Sequence, residues 1–261
     1  MRWCRFQHEN KTAFGILDDA NIISAISGSP FENYSVNNET HALRDVKLLV
    51  PIIPPTFYAA GINYREHVVF AAKVRGVEPA FPTKPDVGYR AINALIPHED
   101  PIVIPRDASE LVQYEGELVV VVGKQSKHLS EDEAFSCILG YSIGNDVSER
   151  TWQASDDTMW RSKNTDTFKP MGPWIETDAD PTSMETTVRL NGKTVSEFDT
   201  NNMVFSIATY ISAMTRYLTL YPGDVIWMGT DGSTENIKAG DIVDIEISGI
   251  GTLTNTVVSE E

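Results

Sequence analysis

The chain has 261 residues, 41% of them apolar, a formal net charge of −16 and two cysteines. This excess of acidic residues argues against a phosphate backbone or an anionic membrane surface as a partner, so we expect no nucleic-acid or membrane binding. No apolar run approaches the roughly 18 residues that cross a bilayer, and the N-terminal residues do not resemble a signal peptide. Cys4 and Cys137 show no metal-site spacing, which fits a reducing compartment. We therefore expect a cytoplasmic globular protein.

Residues 1–50 are predicted to form a small β-rich module. Arg2–Phe6 and Thr12–Leu17 are strand candidates, and a turn is expected at Asp18–Asn21. The module has no catalytic grouping of residues, so we expect a packing or oligomerisation role. Pro51–Pro55 can neither continue a helix nor lie inside a sheet, and it separates the module from a larger domain, residues 51–261.

The larger domain opens with a strand from Phe57, a turn at Gly61 and a predicted helix. Asn63 is a suitable N-cap for that helix, with Glu66 in capping-box spacing. His67 then lies in its first turns, as either a catalytic or a structural residue. Residues 77–105 contain six prolines, and such an irregular segment often carries function.

Tyr114–Gly123 reads Tyr-Glu-Gly-Glu-Leu-Val-Val-Val-Val-Gly, which predicts a strand buried on both faces. Because side chains alternate along a strand, the carboxylates of Glu115 and Glu117 point to the same side. Gly116 leaves the opposite side open to the close approach of another group. A divalent cation with oxygen ligands would offset the repulsion between the two acids. The alternative is a pair of solvated acids at a strand edge.

A third acid follows the next predicted strand. Ser130–Glu133 has capping-box spacing and predicts a helix through about Ile138, ended by Gly140. Tyr141–Asn145 is a strand candidate that delivers Asp146 at its end. Asp146 is then either a further ligand or the N-cap of another helix.

Polar residues after this acid form a second candidate group. In helical geometry Arg150 and Gln153 lie four and seven positions beyond the aspartate, on one face. Lys163 and Lys169 follow in a polar stretch, before a predicted turn at Pro170–Pro173. Asn191–Gly192 is a strong hairpin signal. Asn201 or Asn202 is expected to cap a helix whose apolar spacing extends to Leu218. The remaining strand candidates are Val225–Met228, Asp241–Ile247 and Thr252–Val258.

Several of these motifs, in this order, resemble the fumarylacetoacetate hydrolase family over roughly residues 55–258. The resemblance extends to the acylpyruvase-like and 2-hydroxyhepta-2,4-diene-1,7-dioate isomerase-like bacterial branch, whose members carry a small N-terminal β appendage. The matching segments are the acidic strand Tyr114-Glu115-Gly116-Glu117-Leu118, Gly140-Tyr141 with Asn145-Asp146, the spacing of Asp146, Arg150 and Gln153, Lys163 with Asp166-Thr167-Phe168, Pro170 and Gly172-Pro173, and the C-terminal Pro222-Gly223-Asp224, Gly229-Thr230 and Gly249-Ile250-Gly251.

The resemblance implies a β-rich α+β fold, a mixed β-roll with a few peripheral helices, and usually a homodimer. It further implies an Mg²⁺-type ion, or Mn²⁺ or Ca²⁺, on Glu115, Glu117 and Asp146, with a small oxo acid as substrate. Catalytic roles are implied for His67 and Lys163. Substrate contacts are implied for Arg90, Arg150, Gln153 and Thr230, although Arg150 could instead pair with nearby acids and Lys163 could be a solvated surface lysine.

Three departures from the family pattern bear on the chemistry. The lid helix often reads His-x-x-Glu, whereas here His67 is followed by Val68-Val69-Phe70. Arg90 stands where many members have lysine, and the usual proline after Thr230 is missing. The resemblance implies metal-assisted hydrolysis of a carbon–carbon bond in an acylpyruvate-like 1,3-diketo acid. The alternatives are a metal-dependent decarboxylase or keto–enol isomerase and, in a different class, a protein that binds oxo acids without turnover.

Overall fold

The computed structural model describes residues 1–261, and the first fifty residues contain five β-strands. Apolar residues from four of these five strands form a small core that contains Cys4, Phe6 and Ile23. The predicted turn forms around Asp18, whose side chain accepts hydrogen bonds from two backbone N–H groups, those of Ala20 and Ile22. The strands are β1 Arg2–His8, β2 Lys11–Leu17, β3 Ile22–Ser27, β4 Ser35–Ala42 and β5 Lys47–Leu49.

Strands also predominate among the regular elements of the rest of the chain, which has four short α-helices, and this confirms the predicted β-rich α+β class. No helix is both long enough and apolar enough to cross a membrane. The helices are α1 Arg65–Arg75, α2 Arg150–Ser155, α3 Trp160–Asn164 and α4 Ile207–Thr215. The strands are β6 Phe57–Ala60, β7 Val87–Tyr89, β8 Leu95–Ile96, β9 Ile102–Ile104, β10 Val112–Gln113, β11 Gly116–Val122, β12 Ile138–Asn145, β13 Ser148–Glu149, β14 Lys169–Glu176, β15 Glu185–Leu190, β16 Lys193–Asp199, β17 Val225–Trp227, β18 Ile242–Ile247 and β19 Gly251–Ser259.

Twelve strands form one mixed sheet, with β11 near its centre between β12 and β17. The N-terminal module joins this sheet directly, because β1 pairs with β14 through Arg2 and Glu176. A five-stranded sheet, β16-β15-β18-β19-β9, packs against the start of β11. A Cβ atom on Gly116 would lie 3.1 Å from the side chains of both Val188 and Ile245. The glycine therefore permits the close approach that the sequence predicts.

The start of α1 differs from the prediction. The helix begins at Arg65, and Tyr64 takes the N-cap position without a side-chain cap hydrogen bond. Asn63 is fully buried instead, and its amide group donates to the carbonyl oxygens of Phe205 and Met228. Asn63 is therefore not an N-cap. It joins the segment before α1 to two distant segments, and such long-range partners leave no trace in local spacing.

The predicted helix after Ser130 is also wrong. The Ser130 hydroxyl and backbone N–H do donate to the Glu133 carboxylate, but only a short 3₁₀ segment, Ala134–Cys137, follows. β12 begins at once at Ile138, so Gly140 lies inside a strand. A Cβ on Gly140 would lie 2.5 Å from the Glu176 carbonyl oxygen, which explains why a glycine is required there. Close packing of neighbouring strands, not helix termination, accounts for this glycine.

Two other local predictions need correction and one is confirmed. Pro170–Pro173 lies within β14 rather than in a turn, with a cis peptide bond between Gly172 and Pro173. The helix predicted from Asn201 or Asn202 to Leu218 is shorter than expected. It is α4, which runs from Ile207 to Thr215 and has Ser206 as its N-cap. The hairpin at Asn191–Gly192 forms as predicted, with both residues at positive φ.

Candidate active site

The three predicted metal ligands lie together at one end of two neighbouring strands. Glu115 and Glu117 flank the first residue of β11, and Asp146 directly follows β12. Gly116 pairs with Asn145 across the antiparallel ladder, so the two strand ends meet. The three carboxylates offer oxygen atoms that all lie within 4.8 Å of one another. Their exposed fractions are 4%, 3% and 1%, which excludes solvated acids at a strand edge.

Three cationic side chains converge on Asp146 from different parts of the chain. Lys169 Nζ lies 2.6 Å from its Oδ1 atom, and Lys163 Nζ lies 3.0 Å from its Oδ2 atom. Arg90 Nη2 donates to Oδ2 at 2.8 Å, and Arg90 Nε lies 3.3 Å from both oxygens. Lys163 Nζ also lies 2.6 Å from Oε2 of Glu115. Lys163 is therefore a buried bridge between two acids, not a surface lysine, and Arg90 binds Asp146.

Arg150 adopts the second of its two predicted arrangements, an ion pair with an acid of the cluster. Its Nη2 atom lies 2.7 Å from Oε1 of Glu115. Nη1 donates to Gln153 Oε1 and Nε donates to Gln113 Oε1, each at 2.7 Å. The two glutamine side chains thus fix the guanidinium against Glu115. Arg150 and Gln153 share a helix face as predicted, three residues apart.

Asp146 does not cap a helix. α2 begins four residues later, at Arg150, and its N-cap is Glu149. The Glu149 carboxylate accepts hydrogen bonds from the Trp152 backbone N–H and from the hydroxyl groups of Ser109 and Thr151. Asp146 is therefore free of a capping role, and all its side-chain contacts are with cations.

The charge states of the two glutamates differ sharply because their neighbours differ. Burial alone would raise the pKa of Glu115, but the charges of Lys163 and Arg150 outweigh burial and lower it to about 2. Burial raises the pKa of Glu117, and the nearby charges of Asp146 and Glu115 raise it further, to about 8. Glu117 has no cationic side chain within ion-pair distance. Its Oε2 atom accepts one hydrogen bond, from the Gly229 backbone N–H at 2.9 Å.

Asp146 and Lys169 form the most deeply buried ion pair of the site. Burial opposes ionisation of Asp146, yet Arg90, Lys163 and Lys169 together hold the pKa of its carboxyl well below its usual range. Burial lowers the pKa of Lys169 to about 7, although the Asp146 carboxylate acts in the opposite direction. The charged forms of Asp146 and Lys169 are stabilised by contacts with each other and with neighbouring groups, not by hydration.

His67 lies on α1 and faces a backbone carbonyl. Its Nδ1 atom lies 3.2 Å from the carbonyl oxygen of Thr230, and because that oxygen can only accept, Nδ1 carries the proton. Burial lowers the pKa of His67, so the neutral imidazole is favoured near neutral pH. The Thr230 hydroxyl accepts a hydrogen bond from the Gly232 backbone N–H. In this chain a carbonyl oxygen thus orients the histidine, where the family pattern has a glutamate.

The structure unites most of the predicted residues and adds others. Lys169 was visible in the sequence only as one of two lysines in a polar stretch, and no motif marked it as a partner of Asp146. Gln113 and Ser233 also join the site, because the Ser233 hydroxyl donates to the Gln113 Oε1 atom at 2.8 Å. No local pattern marks these two residues, since 120 positions separate them in the chain.

The donor set fits a divalent metal ion. Three buried carboxylates supply the hard oxygen ligands that Mg²⁺, Mn²⁺ and Ca²⁺ prefer. The poorly compensated acid, Glu117, is the member of the set that a nearby positive charge would stabilise most. Glu115, Glu117 and Asp146 could therefore hold such an ion together.

Known proteins share both the sequence and the fold of this chain. The family model described as fumarylacetoacetate (FAA) hydrolase C-terminal matches residues 56–258, and the model described as Rv2993c-like, N-terminal matches residues 1–51. Protein Rv2993c of Mycobacterium tuberculosis is 39% identical over 236 residues, which cover 89% of this chain and 86% of that protein.

A hydrolase and a crystal structure also match nearly the whole chain. The 2,4-didehydro-3-deoxy-L-rhamnonate hydrolase of a Sphingomonas species is 32% identical over 275 residues, covering 97% of this chain and 94% of that enzyme. The structure of 5-carboxymethyl-2-hydroxymuconate delta-isomerase from Mycobacterium smegmatis matches with a TM-score of 0.90 at 36% identity, covering 100% of both chains. As its motifs predict, the chain belongs to the fumarylacetoacetate hydrolase family.

Proposed function

We propose that this chain is a divalent-metal-dependent enzyme that hydrolyses a carbon–carbon bond in an acylpyruvate-like 1,3-diketo acid. The observation that carries the proposal is the buried cluster of Glu115, Glu117 and Asp146, whose ligand oxygens lie within 4.8 Å of one another. The near-full-length similarity to a 2,4-didehydro-3-deoxy-L-rhamnonate hydrolase supports hydrolysis as the reaction.

Glu115, Glu117 and Asp146 would hold the metal ion. When bound, the ion would supply positive charge that polarises a carbonyl group and stabilises a developing enolate. The cluster excludes bulk water, and in such a site electrostatic stabilisation is stronger than in solution.

His67 is the proposed general base. The Thr230 carbonyl holds the proton on Nδ1, which leaves Nε2 as the proton acceptor. Nε2 would take a proton from water as the water oxygen attacks the distal carbonyl carbon. A new carbon–oxygen bond forms, and the carbon–carbon bond then breaks to give a carboxylic acid and an enolate. Return of a proton to the enolate carbon completes a 2-oxo acid.

Lys163 and Arg150 would supply the local positive charge that an anionic substrate needs on a chain of net charge −16. Both already lie against Glu115, at 2.6 and 2.7 Å. We assign Lys163 to stabilisation of the enolate or carboxylate, and Arg150 with Gln153 to substrate orientation. Thr230 would act through its carbonyl on His67, and Arg90 through its contacts with Asp146.

The second candidate is a decarboxylase or keto–enol isomerase. The observation that favours it is the partner of His67, a neutral carbonyl oxygen in place of a carboxylate. A carboxylate partner raises the basicity of an imidazole, which helps to activate water. Proton transfer to or from the carbon of an enolate requires a weaker base than the activation of water does. The similarity to the Mycobacterium smegmatis isomerase also supports this candidate.

Product identification by NMR separates the candidates. Purified protein is mixed with acetylpyruvate or oxaloacetate, with Mg²⁺ or Mn²⁺ and with EDTA. Hydrolysis predicts metal-dependent acetate and pyruvate from acetylpyruvate. Pyruvate and CO₂ from oxaloacetate, or solvent exchange at its C3 position alone, with acetylpyruvate unchanged, would move the assignment to the second candidate. Tight binding of both compounds without turnover would indicate a binding protein.

A His67→Gln variant tests the assigned base in the same assay. Loss of a general base lowers turnover by about 100- to 10,000-fold, and metal affinity measured by calorimetry should not change. His128→Asn is the matched control, because His128 is exposed and has a positive φ that asparagine tolerates. Turnover by His67→Gln at the wild-type rate would exclude His67 as the base.

A further inference from the structure

Lys169 occupies a closed site behind the acidic cluster. Its exposed fraction is 0%. Its ammonium group contacts three acceptors, Asp146 Oδ1 at 2.6 Å and the carbonyl oxygens of Val147 at 2.9 Å and Phe168 at 2.8 Å. These partners match the three donors of an ammonium group. Because no side of Lys169 faces open space, it cannot touch a substrate, and any effect on the reaction must pass through Asp146.

The two oxygens of Asp146 have different surroundings. Oδ2 lies near Lys163 Nζ, which also contacts Glu115 Oε2, so Oδ2 faces the direction that the two acids share. Oδ1 faces the other way, onto Lys169. The neighbouring ligands are arranged similarly, since Arg150 holds Oε1 of Glu115 and the Gly229 N–H holds Oε2 of Glu117. Oδ2 of Asp146 also accepts a hydrogen bond from Arg90 Nη2 at 2.8 Å, and Lys163 contacts Oε2 of Glu115, so Glu117 alone has a carboxylate oxygen without a hydrogen-bond partner.

We propose that Lys169 is a positioning residue that keeps Asp146 a one-oxygen ligand and thereby selects against Ca²⁺. Ca²⁺ takes six to eight oxygen ligands and often binds both oxygens of a carboxylate, whereas Mg²⁺ requires a compact octahedron of single oxygens. The ammonium group holds Oδ1 behind the cluster, and Oδ2 is the oxygen of Asp146 that lies on the side of Glu115. The inference rests on the metal site of the proposed function and adds its selectivity.

The ratio of the Mg²⁺ affinity to the Ca²⁺ affinity separates an effect on ligand geometry from a change in the charge of the site or from disorder of Asp146. Mg²⁺ and Ca²⁺ carry the same charge, so loss of the Lys169 charge would strengthen the binding of both ions alike. Disorder of Asp146 would weaken the binding of both. A shift of one affinity against the other requires a change in the number or the freedom of the oxygens that the site offers, which is what a positioning residue controls.

The test is calorimetric titration of the metal-free protein with Mg²⁺ and with Ca²⁺, for the wild type and for Lys169→Met. Methionine keeps the length and apolar stem of lysine without its donors. We expect the Mg²⁺-to-Ca²⁺ affinity ratio to move toward Ca²⁺ by about tenfold, within the range typical of groups that hold metal ligands. Lys193→Met, on an exposed hairpin strand, is the matched control and should leave the ratio unchanged.

Parallel changes in both affinities, with a constant ratio, would overturn the proposal. Circular dichroism checks that Lys169→Met is folded, because the variant leaves the Val147 carbonyl without its donor. If it does not fold, the wild type still decides, since a wild-type preference for Ca²⁺ above about tenfold contradicts a one-oxygen Asp146. Failure of either ion to bind the wild type would overturn the metal site itself, and with it the proposed function.

Discussion

Asp146 and Glu117 are buried carboxylates of one cluster, yet their surroundings are opposite. Asp146 contacts Arg90, Lys163 and Lys169, whereas the Glu117 side chain accepts a single hydrogen bond, from the Gly229 backbone. Burial raises the pKa of both groups, but the cations outweigh it at Asp146 and nothing does so at Glu117, whose pKa is about 8. Equal burial therefore does not mean equal charge. Asp146 neutralises cationic side chains of the protein itself, whereas the charge of Glu117 would be stabilised by an added cation such as a metal ion.

The largest expected effect comes from Asp146→Asn. The amide keeps the shape of the side chain but leaves the buried cations Arg90 and Lys169 without their common counter-charge. Removing one partner of a buried ion pair costs about 3–5 kcal/mol, so the free energy of unfolding should fall by that amount in urea titrations with EDTA. Asp19→Asn is the control, since Asp19 makes only an exposed ion pair, and its effect should stay within about 0.5 kcal/mol. Equal changes in both variants would refute the anchoring role.

Glu117→Gln should affect metal binding and leave folding intact. Glutamine retains an acceptor for the Gly229 N–H and removes a buried acid that has no ion pair, so the free energy of unfolding without metal should stay constant or rise by up to about 1 kcal/mol. Affinity for Mg²⁺ should fall by about 100-fold or more, because a charged ligand contributes at least as much as the groups that hold it. Unfolding titrations and calorimetry measure the two quantities. A loss of stability as large as that of Asp146→Asn would show that Glu117 contributes as much to folding as Asp146 does.

The three acids were predictable from the sequence, and the contact of Lys169 with Asp146 was not. The alternation of β11 places Glu115 and Glu117 on one side, and the strand before Asp146 delivers the third acid to the same end. Strand periodicity of two residues is a short-range property, so a single sequence reveals it. Lys169 carries no comparable signal, because its contact with Asp146 depends on how β14 packs beside β12.

The same difference between local pattern and tertiary contact explains which predictions of local structure were wrong. Asn63 has the residue type of an N-cap, and Pro170–Pro173 has the composition of a turn. In the structure Asn63 holds segments more than 140 positions away, and Pro170–Pro173 forms part of a strand inside the large sheet. In both places the tertiary contacts outweigh the local preference. The first two strands pair with each other, as do the two strands of the Asn191–Gly192 hairpin, so each pair joins segments that are adjacent in the chain, and both form as predicted.

Arg90→Lys measures how much one of the three cations contributes to holding Asp146. The guanidinium reaches both oxygens of Asp146, whereas an ammonium group contacts them as a single point charge. Lys163 and Lys169 remain in place, so the free energy of unfolding should fall by only about 1–2 kcal/mol, the contribution of a charged hydrogen bond. Urea titration in EDTA measures the change. A loss equal to that of Asp146→Asn would mean that Arg90 alone anchors the acid.

The smallest effect is expected at His98, a partly buried titratable group outside the cluster. Its Nδ1 atom accepts a hydrogen bond from the Thr254 backbone N–H at 3.0 Å, which requires the neutral ring, and burial lowers its pKa below the usual 6.5.

Because the unfolded chain then binds the proton more readily, the contribution of His98 to stability is complete above about pH 6.5 and is lost as the pH falls below it. Asparagine offers Oδ1 to the same N–H and does not titrate, so urea titrations at pH 7.5 and 5.5 should show a smaller loss of stability for His98→Asn than for the wild type. Parallel losses would show that folding does not lower the pKa of this ring. A small effect here, beside the large one at Asp146, would confirm that the charged neighbours of a buried group govern its contribution to stability more than its burial does.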